Sequence, residues 1–171
     1  MIEIKNEHEE DLLDERLMDI FRLIEDAPLK EINSILDIGA GKGELAKHLS
    51  RQGKKVTCTG VSISSYIADV SALRDQYGIE YIECNIEAMP FAEGSFDAVI
   101  MSHVLEHCSD VARALGHARR VLRKDGLFIV IVPPQEDVVC AGHISVGWNI
   151  GQLMYVLVLN GFDVHSGKVG L

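Results

Sequence analysis

The sequence predicts a doubly wound α/β domain built on a mostly parallel sheet, and three observations predict it. The runs "FDAVIM" (96–101) and "LFIVIV" (127–132) are continuously apolar, as strands covered on both faces must be. Such runs alternate with amphipathic segments, the signature of repeated strand–helix units. The stretch "SILDIGAGKGELAKHLS" (34–50) passes from an apolar strand through three glycines in five positions into a helical pattern. A turn that bare lets a ligand lie against the main chain, and ligands of open α/β sheets bind where such turns lie, beyond the C-terminal ends of the strands.

The elements follow in order. Leu13, Leu17, Ile20 and Ile24 recur at helical spacing and predict an amphipathic helix within residues 7–26, stopped at Ala27-Pro28. Residues 1–33 are therefore expected to form an N-terminal helix packed on an α/β domain of residues 34–171. Residues 35–38 read as the first strand and 44–52 as a helix ended by Gly53. Residues 55–61, rich in β-branched side chains, read as the second strand. A helix over 64–77 closed by Gly78, a strand over 79–84, a strand over 96–102 and a helix over 110–122 continue the alternation. Asp125-Gly126 turns into the strand "LFIVIVPP". A helix over 149–160 ends at Gly161, and 162–165 reads as a last strand.

With 171 residues, 47% of them hydrophobic, one domain can bury a substantial core. No run approaches the roughly 20 apolar residues of a membrane span, and the acidic opening "MIEIKNEHEEDLLDE" is the reverse of a signal peptide. No membrane insertion and a cytoplasmic location are expected. Cys58, Cys84, Cys108 and Cys140 stand singly without a CxxC pair, which suits reduced thiols. The net charge of −10 repels polyanions, so no nucleic-acid partner is expected. Arg113, Arg119, Arg120, Arg123 and Lys124 read as the solvated face and last turn of a helix.

Three nucleotide-type ligands compete for the glycine turn. A phosphate loop needs GxxxxGK followed by Ser or Thr, and Lys42 between Gly41 and Gly43 has neither the upstream glycine nor the hydroxyl. A dinucleotide fingerprint needs a third glycine where Glu44 stands, and a carboxylate faces a pyrophosphate badly. S-adenosyl-L-methionine carries no phosphate, and Asp37 suits its ammonium and sulfonium charges.

The segment "ILDIGAGKGELAKHL" resembles the first motif of class I S-adenosylmethionine-dependent methyltransferases. Residues 85–134 resemble the small-molecule branch of that family throughout, with their PF-x-x-x-SFD turn, LEH segment and RVL-x-x-x-G entry. The resemblance covers roughly residues 34–165. It implies a Rossmann-like methyltransferase fold and a cofactor site of Asp37, Gly39, Ala40, Gly41, Ser62, Asn85, Ile86 and Ser102, with Gly43 permitting close helix packing. Ser62 stands where the family has an acid for the ribose hydroxyls, a loss of roughly 1–3 kcal/mol. Asn85 replaces the acid that takes the adenine amino group, and its side-chain oxygen still accepts that bond. Met89 and Phe91 lie near the adenine or pack the core around Pro90.

Methyl transfer is an in-line displacement from an activated leaving group, so the protein chiefly aligns the acceptor and excludes water. His107 and His103 flank "VLE" where the family's methyl group points. Either suits a base for a hydroxyl acceptor, or both only shape the pocket. His143 and Trp148, in the loop after the fifth strand, suit an acceptor pocket, with core anchoring as the competing reading for Trp148. His8, His48, His117 and His165 are scattered without ligand spacing, so no metal is expected. The family ends in an antiparallel hairpin, of which this chain shows one strand, so a truncated version of a longer protein is expected. In a complete chain that open edge would recruit a second copy as a homodimer. The predicted activity is methyl transfer to a small-molecule acceptor, on oxygen and carbohydrate-related. The alternative is a degenerate binding or scaffold subunit marked by Ser62 and Asn85.

Overall fold

The computed structural model describes residues 18, 32–61, 69–134, 143–145 and 147–165. The N-terminal helix expected within 7–26, Ser62 and Cys140 lie outside the described residues. From Ser34 onward the chain forms one compact unit around a five-stranded sheet. Its strands are β1 (Ser34–Ile38), β2 (Lys55–Gly60), β3 (Glu80–Glu83), β4 (Phe96–Ser102) and β5 (Leu122–Ile131). They lie in the order β3-β2-β1-β4-β5 with every pairing parallel. The helices are α1 (Glu44–Arg51), α2 (Val70–Tyr77), α3 (Val111–Val121) and α4 (Ile150–Leu159).

The continuous apolar runs are explained by burial on both faces. Successive side chains on a strand point to opposite faces, yet Ile35, Leu36 and Ile38 are all buried, as are Val99, Ile100 and Met101 on β4. One face carries Leu36, Ile38, Val99 and Met101 in a cluster with Leu115, Ala118 and Val121 of α3 and Leu157 of α4. The start of the β1/β4 pair is pinned in register by side chains. Ser34 N donates to Asp97 Oδ2 (2.9 Å), Asp97 N donates to Ser34 Oγ (3.1 Å), and Arg123 Nη1 sits 2.8 Å from Asp97 Oδ1.

Of the helix expected over 64–77, residues 64–68 lie outside the described residues, and α2 begins at Val70, because Asp69 is extended and its carboxylate accepts from Ala72 N as an N-cap. The helices expected over 110–122 and 149–160 begin one residue later for the same reason, Asp110 and Asn149 serving as N-caps, and end one residue earlier, at Val121 and Leu159. Residues 162–165 form no strand. Phe162 instead stacks on Phe128 of β5, with ring centroids 4.5 Å apart, and Phe162 and Val164 pack against the core cluster. The basic cluster is also corrected in part. Arg120 is half-buried, donates to the carbonyls of Phe91 (2.5 Å) and Met89 (3.0 Å), and so ties α3 to the turn before β4. Its hydrophobic neighbours there, Met89 and Phe91, belong to the core cluster and its edge, as core packing requires.

Candidate active site

The strand order reverses between β1 and β4, and the loops that leave these two strands meet there. Gly39, Gly41 and Gly43 all adopt positive φ (69°, 54° and 75°), a backbone that other residues reach only with strain. The turn is held from outside, Ala40 N donating to Thr59 O of β2 (3.0 Å), and from within, Gly43 N donating to Ala40 O (2.8 Å). A Cβ on Gly39 would lie 2.6 Å from Val104 Cγ2, and one on Gly43 would lie 2.8 Å from Leu73 Cδ2 of α2. Gly39 thus lets the β1 and β4 loops touch, and Gly43 lets α1 close on α2.

Asp37 lies in β1 two residues before this turn, 3% exposed. Burial, and secondarily the charge of Glu44, push its carboxyl up to about 7. A carboxylate placed in that setting is stabilised by any cation brought to it. Asn85 follows β3, and its Oδ1 accepts from Glu87 N (2.9 Å), capping the turn Ile86–Ala88 in which Ile86 is half-buried. One lone pair of that oxygen is therefore already used, leaving the other for a ligand.

Ser102 ends β4, and His103 continues the ladder, its N–H donating to Ile131 O of β5 (2.9 Å) although its own φ is 54°. A non-glycine residue reaches that region only at a cost, so the backbone here is held by its surroundings. The turn Leu105–His107 then buries Glu106 completely. His103 Nδ1 approaches Glu106 Oε1 to 3.2 Å, an electrostatic contact without hydrogen-bond geometry. His107 and His143 meet edge to face with ring centroids 4.8 Å apart.

Two backbone links bring His143 there. Ile144 N donates to Glu106 O (2.6 Å), and Trp148 N donates to Pro133 O (3.1 Å), closing the base of the loop after β5. Gly147, at φ 87°, is required for that closure, since a Cβ there would lie 2.1 Å from Pro134 O. Trp148 itself is half-buried against the core cluster. Among the described residues, the buried side-chain atoms without a hydrogen-bond partner are Glu106 Oε1 and Oε2, Ser145 Oγ and Trp148 Nε1, all in these two loops. Buried polar atoms cost free energy unless water, protein or a ligand pairs with them, and these lie on the loops that leave the C-terminal ends of β4 and β5. Sequence reading gave Glu106 no definite role and did not single out Ser145 or Gly147. The Gly-Trp pair closing the loop was the available signal.

The profile of the family described as "Methyltransferase domain" matches residues 36–130, more than half of the chain. The chain belongs to the class I S-adenosylmethionine-dependent methyltransferases. It is 31% identical over 117 residues to the uncharacterized methyltransferase YcgJ of Bacillus subtilis, covering 66% of this chain and 46% of that protein. It is 36% identical over 104 residues to the ubiquinone/menaquinone biosynthesis C-methyltransferase UbiE of Hahella chejuensis, covering 57% of this chain and 42% of that one. The chain thus spans less than half the length of these curated relatives. Its fold superposes on Haemonchus contortus phosphoethanolamine N-methyltransferase 2 in complex with S-adenosyl-L-methionine with a TM-score of 0.71, at 18% identity, over 85% of this chain and 36% of the other. No helix among the described residues is long and apolar enough to cross a membrane.

The residues of this methyltransferase domain fit the family's cofactor. Gly39 and Gly41 hold the turn in a backbone that carries no side chain of its own toward a ligand, and Asp37 beside it is a buried acid that a cationic group would stabilise.

Proposed function

We propose that this chain binds S-adenosyl-L-methionine at the turn after β1 and transfers its methyl group to a hydroxyl oxygen of a small, carbohydrate-like molecule. The observation that carries the reading is the pairing of two features at one switch point: a bare glycine turn beside a buried acid, and a group of imidazoles and unpaired polar atoms across from it. The cofactor supplies a methyl group already activated by its sulfonium. Asp37 receives the ammonium, Gly39, Ala40 and Gly41 give the nucleoside and methionine parts room, and Ser62, Asn85, Ile86 and Ser102 border the ribose and adenine.

His143 and Trp148 line the acceptor side, where the unpaired Trp148 Nε1 and Ser145 Oγ are donors for a hydroxylated molecule. Alignment at van der Waals distance supplies most of the rate. A hydroxyl must also lose its proton, a task for His107, or for His103. A cytoplasmic setting accords with Cys58 and Cys108 being buried free thiols.

A second reading, transfer to carbon, is favoured by the C-methyltransferase activity of the Hahella relative. Calorimetric titration with S-adenosylhomocysteine, with NAD as control, tests cofactor binding. Incubation with methyl-labelled cofactor and a panel of hydroxylated and quinol acceptors then separates the two readings by the labelled atom. Millimolar S-adenosylhomocysteine without heat would overturn both.

A further inference from the structure

The group of side chains at the end of β4 holds more than proton transfer needs. Glu106, His107 and His143 each present a ligand atom, and these atoms lie within 4.8 Å of one another. We infer that they form a binding site for one divalent cation of the zinc or manganese class, set on the acceptor side of the cofactor.

Four facts carry the inference. The donor set, two imidazoles and one carboxylate, is one that catalytic cations use when positions are left open for a substrate. Ligand atoms bound to one such cation stand about 3.3 Å apart, so the present spread closes by about 1.5 Å, within reach of side-chain rotation. Both Glu106 oxygens are completely buried and without a hydrogen-bond partner. A buried carboxylate is strongly unfavourable unless a positive charge compensates it; His103 Nδ1 at 3.2 Å touches one oxygen only, and a cation would satisfy the other. Finally, the cluster is tied together: Glu106 and His107 share one short turn, and the bond from Ile144 N to Glu106 O fixes His143 beside them. His103 is then a positioning residue for Glu106.

Cation binding stands on this geometry alone. Its use rests on the methyl-transfer reading: three protein ligands leave open positions for an acceptor oxygen, which selects acceptors carrying a hydroxyl able to coordinate a cation. His107 then acts as a ligand rather than a free base. The O–CH3 bond forms as the S–CH3 bond breaks, the hydroxyl proton passes to water, and the thioether leaves neutral.

The test is titration of the chelator-treated full chain with zinc chloride and, separately, manganese chloride, followed by calorimetry and by metal analysis after gel filtration. Binding of one cation per chain at low micromolar concentration is expected, weakened at least about tenfold in His143→Ala, His107→Ala and Glu106→Gln. His143 and His107 are not completely buried, so their variants carry the test even where Glu106→Gln fails to fold by circular dichroism. No binding by the wild type, or binding equal in the two histidine variants, overturns the site. S-adenosylhomocysteine binding is measured on the same samples: cation binding without it leaves the site standing and removes the methyl-transfer reading, and the reverse result removes the site alone.

Discussion

The ammonium contact proposed for Asp37 would couple cofactor binding to pH, in a direction set by the residue's surroundings. Its carboxyl titrates at about 7 in the fold against 3.8 for the free group, because burial and then Glu44 disfavour the charge. A raised folded-state value means that the fold holds the proton more tightly than the unfolded chain. Its contribution to stability is therefore largest below pH 3.8, falls as pH rises toward 7, and is flat above that. A shift of this size corresponds to roughly 4 kcal/mol. Asp37→Asn, which keeps the shape and removes the charge, is expected to be more stable than wild type at pH 8, and no more stable at pH 4.

Cofactor binding runs the other way. Pairing with an ammonium requires ionised Asp37, about a tenth of the population at pH 6 and about nine tenths at pH 8. The apparent Kd for S-adenosylhomocysteine is expected to fall about tenfold across that interval. Near pH 7 about half a proton is released per ligand bound, which calorimetry in buffers of different ionisation enthalpy measures. The Asp37→Asn protein subtracts the ligand's own titration and should show a flat profile with binding roughly ten- to a hundredfold weaker at pH 8. Affinity that is constant or declines from pH 6 to 8 in the wild type, or the same slope in Asp37→Asn, would refute the assignment.

Three further substitutions probe the frame of the site. Gly39→Ala puts a Cβ into the Val104 methyl at positive φ and should cost on the order of 3 kcal/mol in urea unfolding. Gly116→Ala, on an open helical face of α3, should instead stabilise by about 0.5–1 kcal/mol, and a loss of stability there would show that the glycine argument is not position-specific. Arg120→Ala strips the charged donor from the carbonyls of Met89 and Phe91 and should destabilise by about 2 kcal/mol, whereas an effect near zero would mean water replaces the guanidinium.

Much of the fold was legible because its signals are local. The strand over 96–102 follows from one apolar run, and the glycines after β1 are read from a few neighbouring residues, whereas Asp110 and Asn149 read as helical and emerge as caps only in the structure. The departures have non-local causes. Residues 162–165 look like a strand by composition, yet in the structure Phe162 stacks on Phe128 of β5, a contact between distant segments that composition does not reveal. Arg120 looked like a solvated cation because nothing in its own helix reveals the two carbonyls that α3 meets across the turn before β4.

The candidate site divides along the same line. Sequence alone determined the alternation of elements, the parallel sheet and the glycine turn, since hydrophobic period and the need for positive φ act over a few residues. Tertiary structure decided the charge state of Asp37, which depends on burial, and the meeting of His143 with Glu106 and His107. That meeting has no sequence spacing to betray it. It exists because β4 and β5 lie side by side and backbone bonds from Ile144 to Glu106 and from Trp148 to Pro133 hold the segment of His143 there, a matter of strand order and chain closure rather than local preference.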